Sequence, residues 1–455
     1  MKQLSVWDDT VSLKRHPRLE GVAGCEVLVI GGGMAGILTA HRLAAQGIDV
    51  AVADAGRIGC GNTAGTTAKI TSQHGLIYQK LLQELGTEQA WLYLEANEEA
   101  LKEYVSICEE NNIDCNFRRV SNFIYSHRGE EILEKEMKAL EQIGCQAARL
   151  RPGTSLKLPF HTDGAVEFPL QAQFHPRRFL KFLTEESRSE RMVIFENTRI
   201  TSLRKWQDGG WEAISALGTI LADQIVVASH FPFIDRWGGY FAKMYQSRSL
   251  VIAGRGSEGF GLEGMEGMYK DEAEGGLSFR EAEGLLLIGG GSGRPGKMKE
   301  SWEELERKAE TFCLGWETRY RWAAQDCMTL DAMPYIGPYH GFSGSQGIWT
   351  AAGFNKWGMT GSMVSAMVLT DLICGKDTPY GRLFQPNRPF LKPQLFRNAA
   401  ESAVNLLSPK VPRCRHLGCA LSWNEEERTW DCPCHGSRYD ERGRCIEGPS
   451  TKDLF

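Results

Sequence analysis

The 455-residue chain carries 52 lysines and arginines against 57 aspartates and glutamates, a formal net charge of −5, and no basic run calls for a nucleic-acid partner. Its length predicts two or three domains rather than one core, and 42% hydrophobic with 24% charged residues is ordinary for a soluble globular enzyme. The opening MKQLSVWDDTVSLKRHPRLEG puts Asp8 and Asp9 where a signal peptide needs apolar residues, and no stretch reaches the roughly 18 apolar residues of a membrane span. A cytoplasmic chain with no membrane span is expected.

In chain order, Cys25–Ile30 (CEVLVI) reads as a buried parallel strand. It runs into Gly31-Gly32-Gly33-Met34-Ala35-Gly36, which holds G-x-G-x-x-G at Gly31, Gly33 and Gly36. Helix-forming Ile37–Gln46 follows, then Gly47 as a cap and a second strand, Asp49–Ala53, ending in Asp54. Gly31 permits the tight turn, Gly33 lets backbone N–H groups approach a pyrophosphate, and Gly36 lets helix and strand pack closely. The helix N-terminus adds partial positive charge. Asp54, 18 residues after Gly36, is placed to accept from a ribose hydroxyl. In this context the glycines predict a dinucleotide site rather than a plain turn, without separating NAD from FAD.

Leu76–Asn111 has helical periodicity, Asn122–Tyr125 and Gly164–Phe168 read as strands, and Phe179–Glu186 as a helix. This alternation suits a nucleotide domain with a substrate domain inserted into it. Leu285–Ile288 followed by Gly289–Gly293 imitates a second phosphate loop. Arg294, Pro295 and Gly296 come next, so no helix starts there; the segment reads as strand and turn, and no second nicotinamide module is expected. His230, Arg248 and Lys356 are candidates for meeting a substrate proton or carboxylate, although lone residues of these types more often have structural partners.

Gly347–Ala352 (GIWTAA) reads as a strand, followed by Gly353–Thr360 (GFNKWGMT) and a long helix, Gly361–Ile373. This second glycine-rich junction resembles the closing FAD-contacting segment of the D-amino-acid-oxidase-like (glycine-oxidase-like) flavoprotein superfamily, and the resemblance extends over most of residues 1–395. It implies FAD as cofactor, with Gly353, Gly358, Met359 and Thr360 by the flavin and ribityl chain. It also implies that Gly61–Gln73 (GNTAGTTAKITSQ), with Thr66 and Thr67, lies along the isoalloxazine ring, and that Gln224–Ser229 returns to the nucleotide fold. His230 stands where that family usually has glycine. No Ser-His-Asp or paired-carboxylate arrangement stands out, which fits chemistry done by a flavin.

Five of the 13 cysteines fall in the last 42 residues, a local cluster that points to metal or redox chemistry. They occur as Cys414-Arg415-His416-Leu417-Gly418-Cys419 and, with fifteen residues between His416 and Cys432, as Cys432-Pro433-Cys434-His435-Gly436-Ser437-Arg438-Tyr439; Cys445 completes the five. This resembles the Rieske signature. The resemblance implies Cys414 and Cys432 as sulfur ligands and His416 and His435 as nitrogen ligands of a 2Fe-2S cluster, whose two neutral ligands raise its potential. It further implies a Cys419–Cys434 disulfide, with Ser437 and Tyr439 as hydroxyl donors to a bridging sulfide and a ligand sulfur. Two cysteines and two histidines also suit tetrahedral zinc, but zinc does not require Cys419, Cys434, Ser437 and Tyr439 in register. A stretch that reads as a helix, Asn398–Leu407, runs through Ser408–Pro412 straight to Cys414, so the tail is expected to be a cluster-binding lobe of roughly 40 residues, marginal alone and leaning on the body.

Together the resemblances imply an α/β fold. A Rossmann-like FAD-binding domain with an inserted α+β substrate domain would occupy residues 1–395 (nucleotide-binding parts about 24–75, 190–235 and 325–380; substrate parts about 76–189 and 236–324), and a small all-β lobe residues 396–455. The combination resembles a bacterial family of FAD-dependent oxidoreductases with a C-terminal Rieske domain, as do Thr329–Tyr335 (TLDAMPY) and Gly353–Thr360. The implied activity is oxidation of a small substrate, an amine or amino acid by superfamily analogy, with electrons moving between flavin and cluster and an external acceptor or donor. An oxygen-using oxidase with a structural cluster, and a non-enzymatic electron carrier or redox sensor, stand as alternatives.

Overall fold

The computed structural model describes residues 1–206, 209–234, 238–259, 265, 267–339, 345–389, 391–409 and 411–455. The apolar run ending at Ile30 is the buried half of strand β1 (Gly21–Ile30), and helix α1 (Met34–Ala45) begins within the glycine turn that follows. Along the chain come β2 (Val50–Ala53), β3 (Gly218–Val227), β4 (Ile348–Ala352), α2 (Gly358–Ile373) and α3 (Pro393–Leu407). The order β4-β3-β1-β2-(Met192–Phe195) is parallel throughout, with Tyr335–Pro338 antiparallel on the outer side of β4. Helices α1 and α2 pack together on this sheet, burying Ile37, Leu38, Met363 and Val364 in one core. Strands buried on both faces need apolar residues at every position, which is why β2 reads Val-Ala-Val-Ala without alternation.

A second sheet of nine strands is built mainly from the excursions, in the order Glu317–Thr329, Met244–Arg255, Leu285–Gly293, Ser278–Ala282, Gly267–Asp271, Arg118–Ser126, Gly164–Gln173 and Lys69–Ile70, with Arg149–Pro152 beside Gly164–Gln173. The glycine run Gly289–Gly293 is the end of one of these strands, as its sequence context predicts. Several helices differ from expectation, among them α3, which begins at Pro393 rather than Asn398. The Leu76–Asn111 segment is two helices, Tyr78–Leu85 and Thr87–Glu110, because Gly86 between them adopts φ +82°. The Phe179–Glu186 helix starts earlier, at Pro176, where proline suits the first turn and His175 caps Arg178 N–H; it ends in a π turn, Phe182–Glu186.

The C-terminal lobe is one four-stranded antiparallel sheet, Ser422–Asn424, Thr429–Asp431, Arg438–Tyr439 and Cys445–Glu447. Its own core is small: four of the cysteines in its loops with Leu421, Tyr439, Cys445 and Leu454. Among the described residues no helix is long and apolar enough to cross a membrane.

Candidate functional site: a dinucleotide cavity backed by a cysteine–histidine lobe

A cavity of about 1170 Å³ opens at the C-terminal ends of β1 and β2, the place where open α/β sheets receive ligands. Gly31, Gly33, Asp54, Thr66, Thr67, Gly358 and Met359 line it, with His230 and Lys356. Gly31 turns at φ +115°. Gly36 lies behind the lining, and a Cβ there would sit 1.8 Å from the Gly31 carbonyl oxygen, so its hydrogen is what lets α1 close onto the turn. Gly36→Ala should therefore yield chain with little or no bound flavin, read as flavin absorbance per protein; a fully loaded, folded variant would contradict this geometry.

Asp54 accepts from Gly32 N–H and Gly56 N–H, each at 2.7 Å. Burial pushes its carboxyl up, against the pull of those two donors. Thr360 and Gly353 do not line the cavity. Thr360 Oγ1 instead donates to Thr71 O at 3.1 Å and lies 2.9 Å from His74 Nε2, while Gly353 turns at φ +75° against Thr329. His74 went unread in the sequence. Burial lowers it to about 3, so the ring is neutral; Nε2–H donates to Thr71 O (2.8 Å) and Nδ1 accepts from Tyr93 O–H (2.6 Å). It stacks on Trp357 at 5.0 Å and so braces the start of α2.

His230 holds φ +66°, the left-handed conformation natural to the glycine it replaces. Lys356 donates to Ser249 Oγ at 2.6 Å and pairs with Asp326 at 3.5 Å. Two further lysines line the same cavity: Lys69, buried and donating to Tyr269 O (2.7 Å) and Ser278 Oγ (2.6 Å), and Lys270. Burial, then the nearby Lys356, pull Lys270 down to about 8.

Strand Met244–Arg255 has two faces of different use. Tyr245, Ser249, Leu250 and Val251 line the cavity, while Gln246 and Arg248 face the lobe; a bulge between Arg248 and Leu250 interrupts the two-residue alternation of the strand. On its partner Glu317–Thr329, Ala324, Asp326, Cys327 and Met328 line the cavity, and Gln325 Nε2 donates to Gly436 O of the lobe at 2.8 Å. Arg248 is thus not a cavity residue. Its guanidinium, 3% exposed, pairs with Glu427 of the lobe, with Nε donating at 2.9 Å; Glu427 also meets Arg438 at 3.1 Å.

Cys414, His416, Cys432 and His435 are all buried at the lobe–body junction. The two imidazoles stand 5.0 Å apart and perpendicular, and the Cys414 and Cys432 thiols hydrogen-bond to each other. Tyr439 O–H lies 3.4 Å from Cys414 Sγ, and Ser437 Oγ accepts from Ser450 N–H at 3.0 Å. Two thiols and two imidazoles converging from two loops are a donor set suited to a Rieske cluster. His435 Nε2 donates to the body carbonyl of Phe241 at 3.1 Å, with Phe231 and Phe241 edge-on to its ring; a neutral ring donating from Nε2 offers Nδ1 as its ligand atom. Gly436 (φ +81°) packs so tightly that a Cβ would lie 2.4 Å from Gln246. Lobe residues Arg438, Asp440 and Cys445–Thr451 also line the dinucleotide cavity, and Arg199, another lining residue, donates to Cys445 O at 3.1 Å.

The Cys419–Cys434 disulfide is not formed, and both are free cysteines. Their sulfurs, with that of Cys432, lie within 4.8 Å of one another. The Cys419 thiol hydrogen-bonds to both Cys432 and Cys434, sharing three-way contact in place of the ~2.05 Å bond of a disulfide.

Residues 26–372 match the family described as FAD dependent oxidoreductase, and residues 410–455 match the Rieske [2Fe-2S] domain. The chain is 32% identical over 501 aligned positions to the putative Rieske 2Fe-2S iron-sulfur protein YhfW of Bacillus subtilis (strain 168), covering 98% of this chain and 96% of that one. Among solved structures it is similar to glycine oxidase from Geobacillus kaustophilus (TM-score 0.66, 17% identity, 80% of this chain and 99% of that one). It is also similar to an L-amino acid deaminase from Proteus vulgaris (TM-score 0.64, 17% identity, 83% and 97%). At such identity these two establish the fold.

Proposed function

The chain belongs to the FAD-dependent oxidoreductase family and ends in a Rieske [2Fe-2S] domain, and from that premise we propose that it oxidises a small amino acid or amine and passes the electrons through the cluster to an external acceptor. Gly31, Gly33 and Asp54 would hold the dinucleotide, with Thr66, Thr67, Gly358 and Met359 along its flavin half. Cys414, Cys432, His416 and His435 would hold the cluster. When bound, FAD supplies two-electron oxidation and the cluster one-electron transfer. The observation that carries the reading is contact between the two sites: strand Met244–Arg255 lines the FAD cavity with Tyr245, Ser249 and Val251 and meets the lobe with Gln246 and Arg248, and Arg438 and Cys445–Thr451 of the lobe line that same cavity.

The chain's own groups orient and sort the substrate. Lys270 presents positive charge to the cavity, whereas that of Lys356 is met by Asp326; the Lys270 charge favours a carboxylate-bearing substrate, and the amino-acid enzymes among the structural relatives agree with that choice. Anaerobic addition of candidate amino acids should bleach the flavin and then the cluster. Reduction of both by dithionite alone would favour a carrier without a substrate.

The carboxylate reading has its own test. Lys270 is cationic below about 8 and loses its charge as pH rises through that value. The KM for an amino-acid substrate should climb over the same interval, and Lys270→Met should raise KM about tenfold at neutral pH, the loss of roughly 1.4 kcal/mol of charge attraction. A KM insensitive to both would remove Lys270 from substrate binding.

A further inference from the structure

Helix α3 is amphipathic in the inverted sense. Its polar residues face the protein: Arg294 donates to Asn398 Oδ1 at 2.5 Å, Lys297 pairs with Glu401, and the Asn405 carbonyl accepts from Ala420 N–H at 3.0 Å. Its apolar residues face outward. Phe396 is 70% exposed, Val404 63% and Leu407 85%, and Leu391 and Val411 at either end are 79% and 75% exposed. The helical repeat sets Phe396, Ala400, Ala403 and Leu407 in one stripe, with the alanines exposed too. Contiguous exposed apolar surface of this kind marks an interaction site.

Charge selects the occupant. Between Leu391 and Arg415 the sequence holds five basic residues (Lys392, Arg397, Lys410, Arg413, Arg415) and one acidic, Glu401, so five minus one leaves +4 in a chain of net −5. The single carboxylate is turned inward to Lys297, and of the basic residues Lys392 pairs with Glu84 of the body at 2.7 Å. Exposed Arg397 and Arg415 therefore flank an apolar stripe with no compensating acid. A second copy of the chain would bring two such basic segments together, whereas anionic lipid headgroups would neutralise them while the stripe enters the headgroup–acyl boundary.

We propose that α3 and its flanks dock this protein on an anionic membrane surface. The face adjoins the first cysteine loop, because Arg413 Nη1 donates both to Leu406 O (3.1 Å) and to Gly418 O (2.8 Å). Docking through α3 brings that loop to the bilayer. The inference stands whether or not the amino-acid reading holds.

The test is flotation of the full-length, cofactor-loaded protein with phosphatidylglycerol-rich vesicles and with pure phosphatidylcholine vesicles. The protein should float with the anionic vesicles, less so at high salt. Phe396→Asp combined with Leu407→Asp should cut binding about tenfold or more while flavin and cluster spectra stay unchanged. Failure of the unmodified protein to float, or equal flotation of the double variant, would overturn the proposal. So would a concentration-dependent dimer in sedimentation that the same two substitutions abolish, since the stripe would then be a self-association surface.

Discussion

Replacing His435 with alanine is expected to remove the cluster's visible and EPR signals and to bring iron and acid-labile sulfide to background, with most FAD retained. The loss should be complete because a 2Fe-2S site of this type has two nitrogen ligands on one iron and cannot close with one. Retention of FAD follows from the placement of Gly31, Gly33 and Asp54, which are set by β1, α1 and β2 and not by the lobe. His435 also reaches the body, through Phe241 O. The variant therefore separates two arrangements: cluster loss alone means a lobe that docks on a finished body, whereas joint loss of flavin means that Cys445–Thr451, on the cavity wall, are part of the FAD site. In the first case, substrate-driven bleaching of the flavin should persist while onward electron transfer stops.

Motifs carried within one short stretch of chain were legible from sequence, and pairings across the chain were not. The glycine turn with Asp54 and the Cys-x-His and Cys-x-x-His loops are local: the residues that act together are neighbours, and their spacing encodes the geometry. Position 230 could be flagged because a histidine replacing a usual glycine must still take the left-handed backbone, and it does. Arg248 shows the opposite case. Read alone it suggested a substrate carboxylate, but its carboxylate belongs to Glu427, 179 residues away, and no spacing announces that partner. Lys69 lies within Gly61–Gln73, the segment implied to run along the ring, without a motif that singles it out, and Lys270 reaches the cavity only through the second sheet. The disulfide failed for a different reason: the motif places Cys419 and Cys434 together, but it does not decide whether neighbouring sulfurs bond or share protons with Cys432.

The junction of lobe and body should hinge on Arg248 and Glu427. Arg248→Met leaves a nearly buried carboxylate with Arg438 as its remaining cation; an uncompensated buried charge costs about 3–5 kcal/mol, and the Arg438 contact keeps this loss below that range. The expected result is a lobe that is cut rapidly by protease and a slower flavin-to-cluster electron transfer, with the flavin spectrum unchanged. Replacing both partners, Arg248→Met with Glu427→Met, should recover most of that loss, because an apolar pair strands no charge; the coupling is read as a double-mutant cycle. The same pair predicts an acid limit. Burial raises the Glu427 carboxyl, but Arg248 and Arg438 together hold it below the usual carboxylate range. A carboxyl depressed in the folded state adds stability above its unfolded value of about 4.3, and that stability drains away as pH falls through the lower folded value. Lobe protection should therefore fade in that acidic window in the unmodified protein, and the fade should be smaller in the double variant. An acid profile identical in both would show that docking rests on the Gln325–Gly436 and His435–Phe241 contacts instead.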